Sequence, residues 1–400
     1  MMLTDYISAG ARTLAPPPAF LSLAARPDVI SFAGGVPDPT LFAFEKVARA
    51  SRRILEDRSM ATGALQYGAS GGYEPLRQWL ATFMTAQGAA TPPESIVITN
   101  GGLEALDLTA KMLINKGDAI AVVSPTFFAA LETFKLYHPR MLSIPFENGM
   151  LDMEAMLRAV SQRPKFLYIN PDFQNPTGVS LSTEQRRELV DICAEHGVLI
   201  LEDGAYSQLS FDGSLQPTLL QLSQEADGPH KAAVIYVGTF SKTIAPGARV
   251  GWACLPPDLC PAFVGLKAVS NINTSQMNQM IVHECLCDGY EDHLHNLRMA
   301  YAKRCSSMTN ALAEMMPDGV TWTSPDGGIF TWLRVPRTAG AVTLFERCAQ
   351  DIGVAVLPGN LACVDGGNSN ACRLSFATVD ESQIWEGVTR LSRLLAVAIG

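Results

Sequence analysis

Residues 238–252 read GTFSKTIAPGARVGW. The stretch holds one lysine, Lys242, set between Ser241 and Thr243, with Arg249 seven positions further on. A lysine that serves only as a solvated surface charge needs no such company. Desolvation and a neighbouring cation both lower a lysine pKa, and an unprotonated lysine can form a Schiff base. The forked donors of Arg249 suit a phosphate, and Thr239 and Ser241 add hydroxyls beside it. A Ser-Lys pair alone is weak evidence. Lys-x6-Arg with hydroxyls upstream, at the end of a strand-like run, is stronger.

The runs on either side extend the pattern. AVIYVG (233–238) leads into the stretch and VGWACL (250–255) leads out of it. Upstream lie SIVIT (95–99), AIAVV (119–123), KFLYI (165–169) and VLILED (198–203). Continuous β-rich runs fit strands covered on both faces, as in a mainly parallel sheet. Between them LSTEQRRELVDICAEHG (181–197) reads as a helix, with a capping box at Ser182 and Gln185 and Gly197 just past its end. The alternation predicts an α/β fold, a mainly parallel central sheet with helices on both faces. After about residue 285 the texture changes. A long amphipathic segment, HLHNLRMAYAKRCSSMTNALAEMM (293–316), precedes two β-like runs around a Pro-Asp-Gly-Gly turn, a helix near 342–352, a strand at VAVLP (354–358) and RLSFA (373–377). These predict a smaller α+β domain. The expected division is an N-terminal arm or part of the small domain at 1–45, a large domain at 46–285 and the small domain at 286–400.

Ligands of open α/β sheets bind beyond the carboxyl ends of the strands, so chemistry is sought there. In TNGGLEAL, Gly101 and Gly102 open a helix whose free N–H groups suit a phosphate, although an ordinary turn needs the same residues. Phe127, in SPTFF, can pack in the core or stack on a flat ligand. NPDFQNPTG (170–178) sets Asn170 and Asn175 before prolines, and Pro176 holds Asn175 extended. In LEDGAY, Asp203 is either a solvated turn residue or a carboxylate aimed at a cationic ring nitrogen, with Tyr206 three positions on. Taken with Lys242, these are the parts that a pyridine phosphate cofactor requires. The lysine takes its aldehyde, and the helix N-terminus, hydroxyls and arginine take its phosphate. The carboxylate keeps its ring nitrogen protonated, Asn and Tyr meet its phenolic oxygen, and the aromatic stacks on its ring.

Composition bounds the alternatives. Of 400 residues, 48% are hydrophobic and 17% charged, which describes a globular chain with a large core. A net charge of −9 argues against a nucleic-acid partner. No run of apolar residues is long enough to span a membrane, and the N-terminal MMLTDYISAGARTLAPPPAF lacks the layout of a secretory signal. A cytoplasmic location is expected. Nine cysteines without a CxxC pair read as free thiols. The six histidines form no HxxxH, and His293 and His295 read as structural, so no metal is expected.

The chain resembles the fold-type I pyridoxal-phosphate enzymes of the class I/II aminotransferases, above all the kynurenine/2-aminoadipate and multi-substrate group. The resemblance runs from ISFAGGVPDP (30–39) through LQYGASGGYEPLR (65–77) and the strand ends to CRLSFA (372–377). It implies ping-pong transfer of an amino group from an L-α-amino acid to a 2-oxo acid through a Schiff base on Lys242. It implies that Asp203 pairs with the ring nitrogen, that Asn175 and Tyr206 meet the phenolic oxygen, and that Phe127 stacks. Thr239, Ser241 and Arg249, with Gly101 and the backbone of Gly102 and Leu103, would hold the phosphate. Arg373 would grip the substrate α-carboxylate, with Asn175 beside it and Gly34 and Gly35 lying over the substrate. Tyr67 would reach the phosphate of a partner subunit, which implies a homodimer with shared sites. The chain departs from the commonest family pattern at Leu103, at Phe127, at Gly204-Ala205 and in APPPAF (15–20). Those departures keep open a second reading, a different reaction on the same fold: cyclisation, oxidation, elimination or replacement. A regulator's sensor module is the third reading; ISFAGG begins at residue 30, which leaves no expected room for a DNA-binding segment upstream. Arg12 and Arg26 could meet an acidic side chain but fit the surface better, and Phe20, Phe32 and Phe42 could line an apolar pocket or pack the core.

Overall fold

The computed structural model describes residues 6–14, 22, 24, 26–226, 231–336 and 341–399. APPPAF and Phe20 lie outside the described residues. Fourteen strands occur among the described residues: β1 Ile30–Ser31, β2 Ile96–Thr99, β3 Ala119–Ser124, β4 Arg140–Glu147, β5 Met150–Leu151, β6 Phe166–Ile169, β7 Leu199–Asp203, β8 Val234–Thr239, β9 Gly251–Cys254, β10 Thr321–Trp322, β11 Phe330–Arg334, β12 Val354–Ala355, β13 Leu357–Pro358 and β14 Ala371–Ser375. Eight form one sheet in the order β2-β9-β8-β7-β6-β3-β4-β5. Strands β8, β7, β6, β3 and β4 run parallel; β9 is antiparallel to both its neighbours, and β5 hairpins back on β4.

The apolar runs are continuous because both faces of the sheet are covered. Leu167, Ile169 and Ile200 pack with Leu189, Val190 and Cys193 of helix Thr183–His196. Their neighbours Phe166, Tyr168 and Leu201 face the other way, against Ala105, Leu106 and Leu108 of helix Gly102–Leu113. Helix Thr183–His196 starts on the expected capping box and ends on left-handed Gly197.

A second, antiparallel sheet follows in the order β10-β11-β14-β13. Helix Tyr290–Met315 packs with the C-terminal helix Glu381–Ile399 beside it. The VAVLP run divides: β12 pairs in parallel with β1, whereas β13 joins β14. The segment after β1 is held in the same region. The Phe32 N–H donates to the Ala355 carbonyl, the Ser375 N–H donates to the Phe32 carbonyl, and the Phe32 ring is fully buried. Phe32 is therefore core, and Ala33–Gly35 are carried between the two sheets. Arg26 pairs with Asp28 at an exposed site. All nine cysteines are free; seven are buried, Cys260 is half-buried and Cys287 is exposed. His293 Nε2 lies 2.6 Å from the Thr243 carbonyl oxygen, a structural contact.

Candidate active site

The strand ends converge as the parallel order requires. Beyond β8, Thr239 Oγ1 donates to Ser241 Oγ at 2.9 Å and accepts from the Ser241 N–H at 3.1 Å. That turn sets Lys242. Its Nζ donates to the Gly35 carbonyl oxygen at 2.6 Å and lies 5.6 Å from the centre of the Tyr206 ring. Burial, then the charges of Arg373 and Arg249, lower the Lys242 pKa to about 8, against the opposing pull of Asp203. A useful fraction of this amine is therefore neutral near physiological pH.

Arg373 stands in the middle of β14 and is fully buried. Nη1 donates to Asn175 Oδ1 at 2.7 Å and Nη2 to the Ala33 carbonyl at 2.6 Å, while Nε has no protein partner. The guanidinium lies 4.2 Å from the centre of the Phe330 ring. Burial lowers its pKa to about 10, so it stays charged at neutral pH. A Cβ on Gly35 would stand in van der Waals contact with Arg373 Nη2 and Phe330 Cζ, both at 3.4 Å. A buried cation and a neutral-capable amine are thus tied to one backbone segment, residues 33–35.

Beyond β7, Asp203 is buried, which pushes its pKa up; the Tyr168 hydroxyl, the Ala205 N–H and the Lys242 charge resist that rise. Tyr206 is buried and also raised, and its ring packs edge to face on Phe330 with centroids 5.4 Å apart. Asn170 braces the row. Its Nδ2 donates to the Asp203 carbonyl, and its Oδ1 accepts from the Asn175 N–H at 2.8 Å. The Asn175–Pro176 and Ser124–Pro125 peptides are cis. Phe127, half-buried, opens the helix beyond β3.

A tight cup lies where β2 meets its helix. Gly101 has φ 82° and ψ 171°, a region reserved to glycine. A Cβ there would lie 2.6 Å from Arg249 Nη2, and one on Gly251 would lie 2.7 Å from the Gly101 carbonyl carbon. Arg249 Nη2 donates to the Asn100 carbonyl at 2.8 Å. Below, Glu104 accepts from the Asn100 N–H and from Lys267 Nζ at 2.9 Å. Free helix N–H groups, a guanidinium and the hydroxyl turn after β8 make a cradle for a phosphate. A buried carboxylate and a lowered-pKa lysine complete what pyridoxal phosphate needs, so the residues fit that cofactor.

The structure therefore gathers Gly34, Gly35, Gly101, Gly102, Asn175, Asp203, Tyr206, Thr239, Ser241, Lys242, Arg249 and Arg373 around the strand ends. Leu103 contributes backbone there while its side chain is exposed, and Tyr67 points outward, 75% exposed. Reading the strand ends missed Tyr168, Glu104 and Lys267. The phenol of Tyr168 donates to Asp203 Oδ2 at 2.9 Å. Among the described residues no group of His, Cys, Asp and Glu could hold a metal, and no helix is long and apolar enough to cross a membrane.

The family described as aminotransferase class I and II matches residues 27–391. A 2-aminoadipate transaminase of Thermus thermophilus is 38% identical over 94% of this chain and 92% of its own. The solved α-aminoadipate aminotransferase from Thermus thermophilus, complexed with N-(5'-phosphopyridoxyl)-L-leucine, superposes with a TM-score of 0.91 at 35% identity, covering 100% of this chain and 99% of its own. The kynurenine aminotransferase of Pyrococcus horikoshii gives 0.92 at 32% identity, covering 100% and 98%.

Proposed function

This chain belongs to the aminotransferase class I and II family, and on that premise we propose how its residues carry the reaction and what it acts on. The protein is a pyridoxal-phosphate-dependent aminotransferase that passes an amino group from an α-amino acid to a 2-oxo acid. When bound, pyridoxal phosphate supplies an aldehyde for a lysine amine and a protonated ring that draws electrons from the amino acid's Cα. The observation that carries the residue assignments is the pairing of Lys242 and Arg373 on residues 33–35.

Arg373 binds the α-carboxylate, with the Nε–H and the second N–H of Nη1 and of Nη2 not used by the protein, and so fixes which end of the amino acid enters. Asn175, already held by Arg373, keeps that end beside the cofactor's phenolic oxygen together with Tyr206. Lys242 Nζ holds the cofactor between turnovers and, once released, lifts the Cα proton as a general base. Asp203 keeps a proton on the ring nitrogen. Gly101, Gly102, the Leu103 N–H, Thr239, Ser241 and Arg249 hold the phosphate, and Phe127 stacks on the ring. Gly34 and Gly35 cover the substrate.

The donors are long-chain or aromatic amino acids, a class that includes the 2-aminoadipate and kynurenine of the relatives' names. Two copies form a homodimer with shared sites; the exposure of Tyr67 and of the neighbouring Leu65, 76% exposed, supports a surface that a second copy covers. Residues 46–285 form the cofactor-binding domain and 286–400 the small domain. Nine free thiols fit a reducing cytoplasm. The test mixes the holoenzyme with single amino acids and no oxo acid, then measures the 2-oxo acid released. One equivalent per site, then arrest, is expected with 2-aminoadipate or kynurenine and not with aspartate. Continued turnover without an oxo acid would move the protein to another reaction.

A further inference from the structure

Asp203 closes β7, and its charge has to survive full burial. The sheet register shows how. Tyr168 lies opposite Leu201 across the parallel β6–β7 pair, and Asp203 is two residues beyond Leu201, so all three point to the same face. A tyrosine is long enough to reach one pleat repeat up the neighbouring strand. Its hydroxyl meets Asp203 Oδ2 at 2.9 Å, while Oδ1 accepts from the Ala205 N–H at 3.2 Å. The Tyr168 ring is fixed from behind by Phe134, centroids 5.3 Å apart and edge to face. The Thr126 hydroxyl is buried nearby without a hydrogen-bond partner in the protein.

We propose that Tyr168 is the positioning residue for Asp203: its phenol fixes the orientation and the charge of the carboxylate that faces the cofactor's ring nitrogen. The inference rests on the assignment of Asp203 given above. A carboxylate in a dry site is stabilised in its charged form by each donor it accepts from. Ala205 supplies one such donor from the backbone, which only a proline at that position would remove. Tyr168 supplies the other from a side chain buried in the helix-covered core, out of reach of the substrate. Without it Asp203 becomes more basic and takes the proton that the ring nitrogen should keep.

Tyr168→Phe keeps the packed ring and removes only the donor. In the holoenzyme loaded with ring-15N pyridoxal phosphate, the nitrogen resonance should sit at the protonated position in the wild type. In Y168F it should move toward the neutral position. Losing a hydrogen bond to a charged group raises a carboxyl's titration by about one to two pH units. The acid limb of the kcat/KM profile should rise by the same amount, with kcat down about tenfold to a hundredfold and KM little changed. A fluorinated tyrosine at 168, a stronger donor of nearly the same shape, should move the acid limb down and serves if Y168F folds poorly. Asp203→Asn is the control and should displace the resonance fully. If D203N displaces it while Y168F and its acid limb coincide with wild type, the role of Tyr168 is refuted and the Asp203 assignment stands. If D203N leaves the resonance in place, the assignment itself fails and the proposal with it.

Discussion

Replacing Gly101 with alanine tests the phosphate cradle. The new Cβ would stand 2.6 Å from Arg249 Nη2 and 3.0 Å from Cζ and Nη1. Real Cβ contacts do not come so close, so the guanidinium must swing away. Because it ends an exposed, flexible side chain, the chain folds around the change. The backbone at φ 82° adds a local cost of about 1–3 kcal/mol for a residue other than glycine. If Arg249 grips the phosphate, its displacement removes a charge-assisted contact worth about 1.5–3 kcal/mol, or about 10- to 150-fold in affinity. The assay is titration of the apoprotein with pyridoxal phosphate, read by absorbance, with thermal melts of the apo and loaded forms. G101A should bind at least tenfold more weakly, and loading should raise its Tm less. Gly117→Ala is the control: φ is 90° but nothing lies within 4 Å of the added Cβ. It should lower apoprotein stability by a similar backbone cost and leave cofactor affinity unchanged. Equal affinity in G101A and wild type would mean that Arg249 does not grip the phosphate.

Other residues give sharper separations. Arg373→Lys keeps a charge but loses the fork, so kcat/KM for the amino acid should fall about 10- to 100-fold in steady-state assays. Lys242 is half-buried, and desolvation lowers its pKa from 10.5 to about 8, so the unfolded chain binds the extra proton between those values. Its burden on the apoprotein is full below pH 8 and lifts as pH rises toward 10.5. Lys242→Met should therefore be more stable than wild type by about 3 kcal/mol at pH 7, with the gap closing above pH 8 in denaturant melts. Lys267→Met strands Glu104 in a partly buried site; a loss of about 3 kcal/mol, the low end for a broken buried pair, is expected because Glu104 keeps its bonds to Asn100.

What could be read from the chain divides along physical lines. The buried parallel strands announced themselves because burial on both faces demands unbroken apolar runs, as in AIAVV and KFLYI. Strand β4 did not: RMLSIPFE is exposed or half-buried at most positions and carries Pro145, so no run stands out. VAVLP reads as one strand, yet it serves two sheets, because β1 arrives from the other end of the chain and claims only its first two residues. Lys242, Asp203 and Arg249 were legible as polar residues at apolar strand ends. Tyr168 was not, since inside FLYI it looks like core and only the register places its hydroxyl beneath Asp203. Lys267 and Glu104 were hidden for a similar reason: an ion pair between distant helices leaves no local pattern.

Every proposed step depends on Lys242 being the residue that holds the cofactor. Borohydride reduction of the holoenzyme, followed by proteolysis and mass mapping, tests it directly. One pyridoxyl group per chain is expected, on Lys242, and none in a Lys242→Ala protein soaked with pyridoxal phosphate. A reduced adduct on another lysine, or a stable, loaded protein without an adduct on Lys242, would contradict it.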